Sequence, residues 1–360
     1  MISEDGVDNQ SMIIWVLLEQ NYVGANNQCI TLANHLGLQY ECKTLVFDKE
    51  VILSKSDFLH GSLKQLNKEQ SSSLLSPWPD LIVVPTKACE QIALWIKKAS
   101  QEKSMLVRLG KVKTPVDLWD LIISPKQYCF PKRKNILCTN LPLRDINNEL
   151  IQQEILQWRP EINHLPEPYF ALFLGGPIKH FPYTEEKAKK LAELLNRKFS
   201  GQGSLLISSS RRTPGSFYEC LIKNLKLPYY SYSWDANSTQ NPYFAFLGMS
   251  KEVIIAGDSI TMLAEAVITG KFIHIYYHRR PWFYSLGMQI AKGLVLFLGS
   301  VTKFAIGIRD DRRFYRYLIS QKKGTRLQEG STKEIFIKTV RNEDLDNAVR
   351  HVRQLLVPKN

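Results

Sequence analysis

Residues Ala256-Gly-Asp-Ser-Ile-Thr-Met-Leu-Ala-Glu-Ala-Val-Ile-Thr-Gly270 decide the reading of this 360-residue chain. The run Val253–Ala256 is uninterruptedly apolar, as in a strand buried on both faces. After Gly257, Asp258 or Ser259 can cap a helix that Gly270 terminates. Such a helix presents its unpaired first-turn N–H groups and the positive end of its dipole just past a strand, which makes an anion site without any special side chain. Glu265 follows Thr261 by four residues and Asp258 by seven, so it shares their helix face about two turns down. A carboxylate there can accept hydrogen bonds from both hydroxyls of a ribose. Taken alone, the stretch fits an ordinary capped helix with a solvated glutamate equally well.

The same strand-then-helix rhythm extends in both directions. Downstream of Pro168 the apolar runs are Tyr169–Leu174, Ser204–Ser208 and Phe272–Tyr276. The helix behind Thr184 carries Glu185 and Glu186 in its first turn and Ala188, Leu191, Ala192, Leu195 and Phe199 on one stripe. Upstream, Ile13–Leu18, Leu81–Val84, Met105–Leu109 and Leu121–Ser124 read as strands, with helices at Asn27–Leu36 and Ala88–Ala99. Continuous apolar strands alternating with helices predict a parallel sheet covered on both faces, an α/β class. A chain of this length fits two domains. Pro142, Pro160, Pro166 and Pro168 mark the junction, with a helix over Asn148–Gln157 inside it. The expected division is an N-terminal Rossmann-like domain at 1–145, a linker at 146–168, a C-terminal Rossmann-like domain at 169–340 and a terminal helix at 341–360.

Other segments follow strands of the C-terminal half. Phe173-Leu-Gly-Gly-Pro-Ile-Lys-His-Phe181 leads a strand into Gly175 and Gly176, where backbone can approach a phosphate, and on to Lys179 and His180. Ser208-Ser-Ser-Arg-Arg-Thr-Pro214 offers the Ser210 hydroxyl and the Arg211 and Arg212 guanidiniums, which suit bidentate phosphate contact. Asn241-Pro-Tyr243 can wall a base pocket or simply start a helix. Singly, each is more often a turn or a solvated loop. All fall at strand carboxyl ends, where open α/β sheets bind ligands. Asp258, Ser259, Thr261, Met262 and Glu265 complete this candidate diphosphate and nucleotide set.

Composition narrows the partners. Lys and Arg outnumber Asp and Glu by 47 to 34, a formal charge of +13, so anionic partners are favoured. Residues 301–360 hold 14 Lys and Arg against 7 Asp and Glu, more than half of that excess. The six cysteines are scattered, without metal-ligand spacing, and read as reduced thiols. The acidic start and the short apolar run behind it do not make a signal peptide. Gly293–Thr302 is about half the ~20 residues a bilayer span needs. These features place the protein in the cytoplasm, with an anionic membrane surface as a candidate partner through Arg279-Arg-Pro-Trp-Phe283 and Arg312-Arg-Phe-Tyr-Arg-Tyr317. No nucleic-acid-binding module is recognisable.

The order G-G-x-x-K-H-F, S-R-R-T-P, N-P-Y and D-S-x-x-M-x-x-E-A-x-x-T-G resembles the elongated-mitochondria (mitochondrial fission) family. Gly24-x-x-Asn27-Gln28-Cys29-Ile30 and Pro77-Trp-Pro-Asp80 extend the likeness over roughly residues 13–290. That family is in turn similar to GT-B glycosyltransferases, two Rossmann-like domains facing a central cleft. The resemblance implies that a helix like Ser259–Thr269 holds a donor diphosphate and that a glutamate like Glu265 holds its ribose. It also puts Gly24, Asn27 and Gln28 on an acceptor-side loop. Bacterial relatives tend to carry Asp-Gly-x-x-G after the first strand, where this chain has Glu19-Gln-Asn-Tyr-Val-Gly24. Glu19 is therefore the candidate catalytic base, with an ordinary loop carboxylate as the plainer alternative.

The expected function is metal-independent glycosyl transfer from a nucleotide sugar, used as substrate with no separate cofactor, to a membrane-associated or envelope acceptor. Two alternatives stay open: an adaptor that recruits a dynamin-related GTPase to a membrane, as the family resemblance implies, and a nucleotide-sugar epimerase. A nucleoside diphosphate is a candidate ligand in either enzyme reading.

Overall fold

The computed structural model describes residues 12–357 apart from 49, 129, 178–181, 239, 258, 277–289, 291–319, 321–323 and 328–342. The chain divides into two compact units, with the change-over between Arg144 and Asp145.

In the first unit six parallel strands stand in the order β2-β1-β3-β4-β5-β6. They are β1 (Ile14–Glu19), β2 (Glu41–Leu45), β3 (Leu81–Val84), β4 (Met105–Leu109), β5 (Leu121–Pro125) and β6 (Ile136–Thr139). Because successive side chains of a strand point to opposite faces, β1 serves two cores. Ile14 and Val16 pack with Cys29, Leu32 and Leu36 of helix α1 (Val23–Leu36). Trp15 and Leu17 pack with Ile92 and Ile96 of helix α3 (Lys87–Ala99). The short helix α2 (Lys55–His60) starts on a capping box in which Ser54 and Asp57 bond each other's backbone N–H.

The second unit holds a second parallel sheet, ordered β12-β11-β10-β7-β8-β9. Its strands are β7 (Tyr169–Leu174), β8 (Ser204–Ser208), β9 (Tyr229–Tyr232), β10 (Ser250–Ala256), β11 (Phe272–Tyr276) and β12 (Gly324–Arg326). Counted from β7 this is the doubly wound order 3-2-1-4-5-6 of dinucleotide-binding folds. The stripe on α5 (Glu185–Phe199) is buried throughout, and the Thr184 hydroxyl caps it by accepting from the Lys187 N–H. Helices α6 (Gly215–Asn224), α7 (Tyr243–Met249) and α8 (Ile260–Ile268) follow β8, β9 and β10. Both halves are thus Rossmann-like α/β units, as the strand and helix rhythm predicts.

Two segments depart from the expected division. The helix expected inside 146–168 is present as α4 (Asn148–Ile162), but it fills most of that segment and belongs to the second unit. A Cβ on Gly248 of α7 would fall 2.5 Å from Ile151 and 2.8 Å from Ile155, so only glycine lets the helices meet so closely. Trp158 of α4 sits edge-on to Tyr230, Tyr232 and Phe246. The terminal helix, α9 (Glu343–Leu356), belongs to the first unit and does not stand apart. Its Leu345, Ala348, Val352 and Leu356 join the core built on α1. Its Asp344 carboxylate accepts the backbone N–H groups of Asn140 and Leu141, both at 3.0 Å.

His274 of β11 gives the second unit a pH dependence. It is 2% exposed, lies between the rings of Phe199 and Phe272, and its Nε2 bonds the Glu252 carboxylate. Burial holds the imidazole below its ordinary value, against the opposing pull of Glu252. The folded ring therefore stays neutral while the unfolded one takes a proton at about pH 6.5. Its contribution to stability is full above about pH 6.5 and declines as the pH falls. The urea midpoint should drop between about pH 7.5 and pH 5.5, and His274→Phe should flatten that drop. An identical slope in the variant would assign the acid sensitivity to other groups.

Candidate functional site

The order in which the chain adds strands to the second sheet reverses between β7 and β10, and such switch points open a crevice at the strand carboxyl ends. Leu174 and Ala256 end their strands side by side. The next residues, Gly175 and Gly257, draw the two turns together, with the Gly175 N–H donating to the Ala256 carbonyl at 2.7 Å. Gly257 has a φ of 101°, a conformation that L side chains rarely adopt. A Cβ there would lie 2.5 Å from the Tyr183 hydroxyl and 3.0 Å from the Gly176 carbonyl oxygen. Tyr183 closes the floor, donating to the Ala256 carbonyl at 2.7 Å while its ring stacks on Phe217. Gly175 and Gly176 are both buried in this paired turn.

The loop after β8 leans over this turn. A Cβ on Gly176 would fall 2.7 Å from the Arg212 Cβ and 3.0 Å from its guanidinium carbon. Arg212 therefore lies across the glycine turn, with its residue exposed to solvent. Arg211 is exposed beside it. Thr213 fixes the loop, since its hydroxyl oxygen accepts the Ser210 N–H at 2.9 Å and lies within 3.0 Å of the Leu174 and Gly175 carbonyls. Ser210 spends its own hydroxyl within the loop, 3.0 Å from Thr213 Oγ1. Thr213 and Tyr183 are thus positioning residues that the sequence reading did not single out. The spacing of Ser210 and Thr213 was the available signal for the first.

Helix α8 begins two residues past Asp258, with Ser259 as its cap. The Ser259 hydroxyl accepts the Met262 N–H at 3.3 Å. Ahead of that bond the first-turn N–H groups have no intrahelical acceptor, and Thr261 and Met262 are partly open to solvent. Gly270, with a φ of 72°, lies just past the Thr269 cap, where the sequence predicts the stop.

Glu265 differs from its expected setting. It is 7% exposed, and its Oε2 accepts the Tyr243 hydroxyl at 2.7 Å. The hydrogen bond ties α8 to α7, and the Tyr243 ring rests on Phe173 of β7 at 4.5 Å. Tyr243 is therefore a partner of the carboxylate, a role its place in Asn-Pro-Tyr did not disclose. Asn241 has the helix-starting role, its Oδ1 accepting the Tyr243 N–H at 3.0 Å.

In the first unit, Glu19 closes β1 and is 5% exposed. The expected loop at 19–24 is only a short turn. Gly24, Asn27 and Gln28 already belong to α1, and the Gln28 amide donates to the Gly24 carbonyl at 3.2 Å. Asn26, which the sequence reading passed over, holds that turn. It exchanges two hydrogen bonds with the Glu19 backbone, at 3.1 and 2.8 Å. Lys179, His180 and Asp258 lie outside the described residues, as do the two basic-aromatic clusters near 280 and 314. Among the described residues no helix is long and apolar enough to cross a membrane.

A family model described as Mitochondrial fission ELM1 matches residues 23–283. An uncharacterized protein of Rickettsia prowazekii, RP120, is 27% identical over 314 residues, which cover 78% of this chain and 86% of that protein. The mitochondrial fission protein ELM1 of Arabidopsis thaliana is 21% identical over 219 residues, 55% of this chain and 51% of that one. Among solved structures, a glycosyl transferase family 9 protein of Veillonella parvula aligns over 98% of this chain and 99% of its own, at 10% identity and a TM-score of 0.41. The MnaA-UDP co-structure from S. aureus covers 87% of this chain and 96% of its own, at 11% identity and 0.40. Likenesses of that size carry no argument about chemistry.

Proposed function

The chain belongs to the mitochondrial fission ELM1 family, and from that premise we propose that its second unit binds the diphosphate of a nucleotide sugar and that the protein transfers the sugar. The observation that carries this reading is the crevice between β7 and β10. Two glycine turns, the start of α8 and the Arg212 guanidinium converge on it. Backbone N–H groups at a helix start favour an anion, and a guanidinium beside them offsets the charge of a leaving diphosphate. Glu265 is the ribose group. A carboxylate has about four lone-pair sites, so the bond from Tyr243 leaves capacity to accept from sugar hydroxyls. Glu19 is the base that takes the proton of an acceptor hydroxyl, a role that requires hydrogen-bond reach to that proton.

Isothermal titration of the full chain with uridine and guanosine diphosphates and their sugar conjugates tests the donor site. Arg211→Ala, Arg212→Ala and Glu265→Gln should each weaken binding by about 1–3 kcal/mol, the range for hydrogen bonds to charged groups. Glu265→Gln is the better variant than alanine, because the buried Tyr243 hydroxyl keeps an acceptor. Unchanged affinity in all three, with folding intact, would remove the donor assignment. Glu19→Gln should suppress release of nucleoside diphosphate in the presence of acceptor while leaving nucleotide affinity as it was.

The second reading is an adaptor without catalysis, favoured by the likeness to the Arabidopsis thaliana mitochondrial fission protein ELM1. It expects nucleotide-sugar binding without acceptor-dependent release and capture of a dynamin-related GTPase from a eukaryotic lysate. Binding to vesicles of anionic lipid that weakens with salt would support the peripheral-membrane part of either reading. A nucleotide-sugar epimerase would instead convert the donor sugar with no acceptor present.

A further inference from the structure

We propose that the first unit has a ligand pocket of its own, built for an amphiphile whose apolar chain ends in a phosphate. The inference stands on the first unit alone and does not depend on a nucleotide in the second.

The order of strand addition in the first sheet also reverses, between β1 and β3. Helices α1 and α3 cover opposite faces, so their starts part above the strand ends. A cavity of about 840 Å³ opens there, with Glu19, Pro85 and Leu109 from three strand ends among its walls. That volume is in the range of small-molecule sites.

The walls are of two kinds. Phe47, Val51, Ile52, Leu53 and Phe58 form an apolar side. Ile52 is 91% exposed and Phe58 42%, so apolar area faces solvent at this cavity. A buried ligand chain would cover part of it, which is favourable in proportion to area. The lining also holds three lysines, Lys87, Lys111 and Lys113, against one carboxylate, Glu19. Arg108 also borders the cavity, but Glu90 neutralises it at 2.9 Å. Among the described residues none of the three lysines has a carboxylate partner. Burial first, and then the charge of Lys113, hold Lys111 below its ordinary value.

A second observation points to a ligand. Gln91 of α3 borders the cavity and is 3% exposed, yet among the described residues neither its amide oxygen nor its amide nitrogen has a hydrogen-bond partner. Buried amides are rarely left so, because the missing bonds cost free energy. A phosphate ester supplies acceptors for an amide N–H as well as for ammonium groups.

The test is calorimetric titration of the full chain with octyl phosphate below its micelle concentration, beside octyl glucoside and inorganic phosphate. Octyl phosphate should bind at least about tenfold more tightly than either control, since only it engages both walls. The double variant Lys111→Gln, Lys113→Gln should lose about tenfold for octyl phosphate and nothing for octyl glucoside. Ile52→Asp, at an exposed position that the fold does not need, should weaken octyl phosphate as well. Vesicles containing phosphatidic acid separate the sources. Binding to both soluble octyl phosphate and vesicles assigns a lipid headgroup, and binding to the soluble compound alone assigns a free metabolite. Binding to vesicles alone overturns the pocket in favour of a charged surface. Equal affinity for octyl phosphate and inorganic phosphate, or indifference to the lysine variant, overturns it too. Glu265→Gln must leave octyl phosphate binding unchanged, which keeps a failure here distinct from a failure of the donor site.

Discussion

Gly257→Ala is expected to cost the second unit about 2–6 kcal/mol and, with it, to abolish the proposed nucleotide binding. Two effects add. The φ of 101° is strained for any L side chain, which costs about 1–3 kcal/mol. The new methyl would also press into a packed turn, 2.5 Å from the Tyr183 hydroxyl and 3.0 and 3.3 Å from the Gly176 and Gly175 backbone. Tyr183 cannot retreat without giving up its bond to the Ala256 carbonyl. Overpacking of this kind costs about 1–3 kcal/mol more. The adjacent β7 and β10 turns would have to part, and they define the proposed diphosphate crevice. Urea denaturation followed by nucleotide titration of the refolded variant reads both effects. Gly215→Ala is the control, since its new methyl would meet nothing closer than the Glu219 carboxylate at 3.9 Å. A Gly257→Ala protein within about 1 kcal/mol of the parent would refute the tight turn pairing described here.

Arg108→Met should destabilise the first unit by about 3–5 kcal/mol, the usual result of removing one partner from a buried ion pair. Arg108 is 3% exposed and Glu90 fully buried, with Nε donating to the carboxylate at 2.9 Å. The pair also organises backbone. Arg108 donates to the carbonyls of Pro85, Leu109 and Lys111, while Glu90 accepts from the N–H groups of Lys113 and Thr114 and from the Thr114 hydroxyl. Methionine fills the volume but leaves the Glu90 charge buried without its cation. The loop at 110–114, which carries Lys111 and Lys113, loses its clamp, so octyl phosphate binding should weaken in step. Adding Glu90→Gln to Arg108→Met should restore part of the loss, because the orphaned charge is gone. Strictly additive single and double variants would mean that the two groups act independently, contrary to the geometry.

Much of the fold was legible because burial on both faces leaves a local mark. The eight apolar runs read as strands are strands, within a residue or three at their ends. Thr184 and Ser259 cap helices because a hydroxyl at that place reaches an N–H three residues on, which is a matter of local geometry. The Gly-Gly turn and the α8 start could likewise be placed at strand ends from order alone.

What the sequence could not supply depends on neighbours distant along the chain. Strands β2 and β9 carry no continuous apolar run of four, and β6 has only Ile136-Leu-Cys138. They sit beside β1, β5 and β8, and β6 and β9 are largely half-buried or exposed. Backbone pairing to an existing strand makes such strands, and side-chain pattern shows it poorly. Helix α9 looked like a separate tail, but its apolar stripe is satisfied by α1, more than 300 residues earlier. Exposure was undecidable for the same reason. Glu265 shares the helix face of Thr261, yet it is buried and accepts the Tyr243 hydroxyl from the separate helix α7. Arg108 lies inside the β4 run, and its partner Glu90 comes from the separate helix α3. By itself the sequence determined the eight apolar strands, the helices alternating with them and the residue types at their ends, because periodicity and capping act within a few residues. The tertiary structure alone decided which of those residues touch, since contact depends on how separate elements pack.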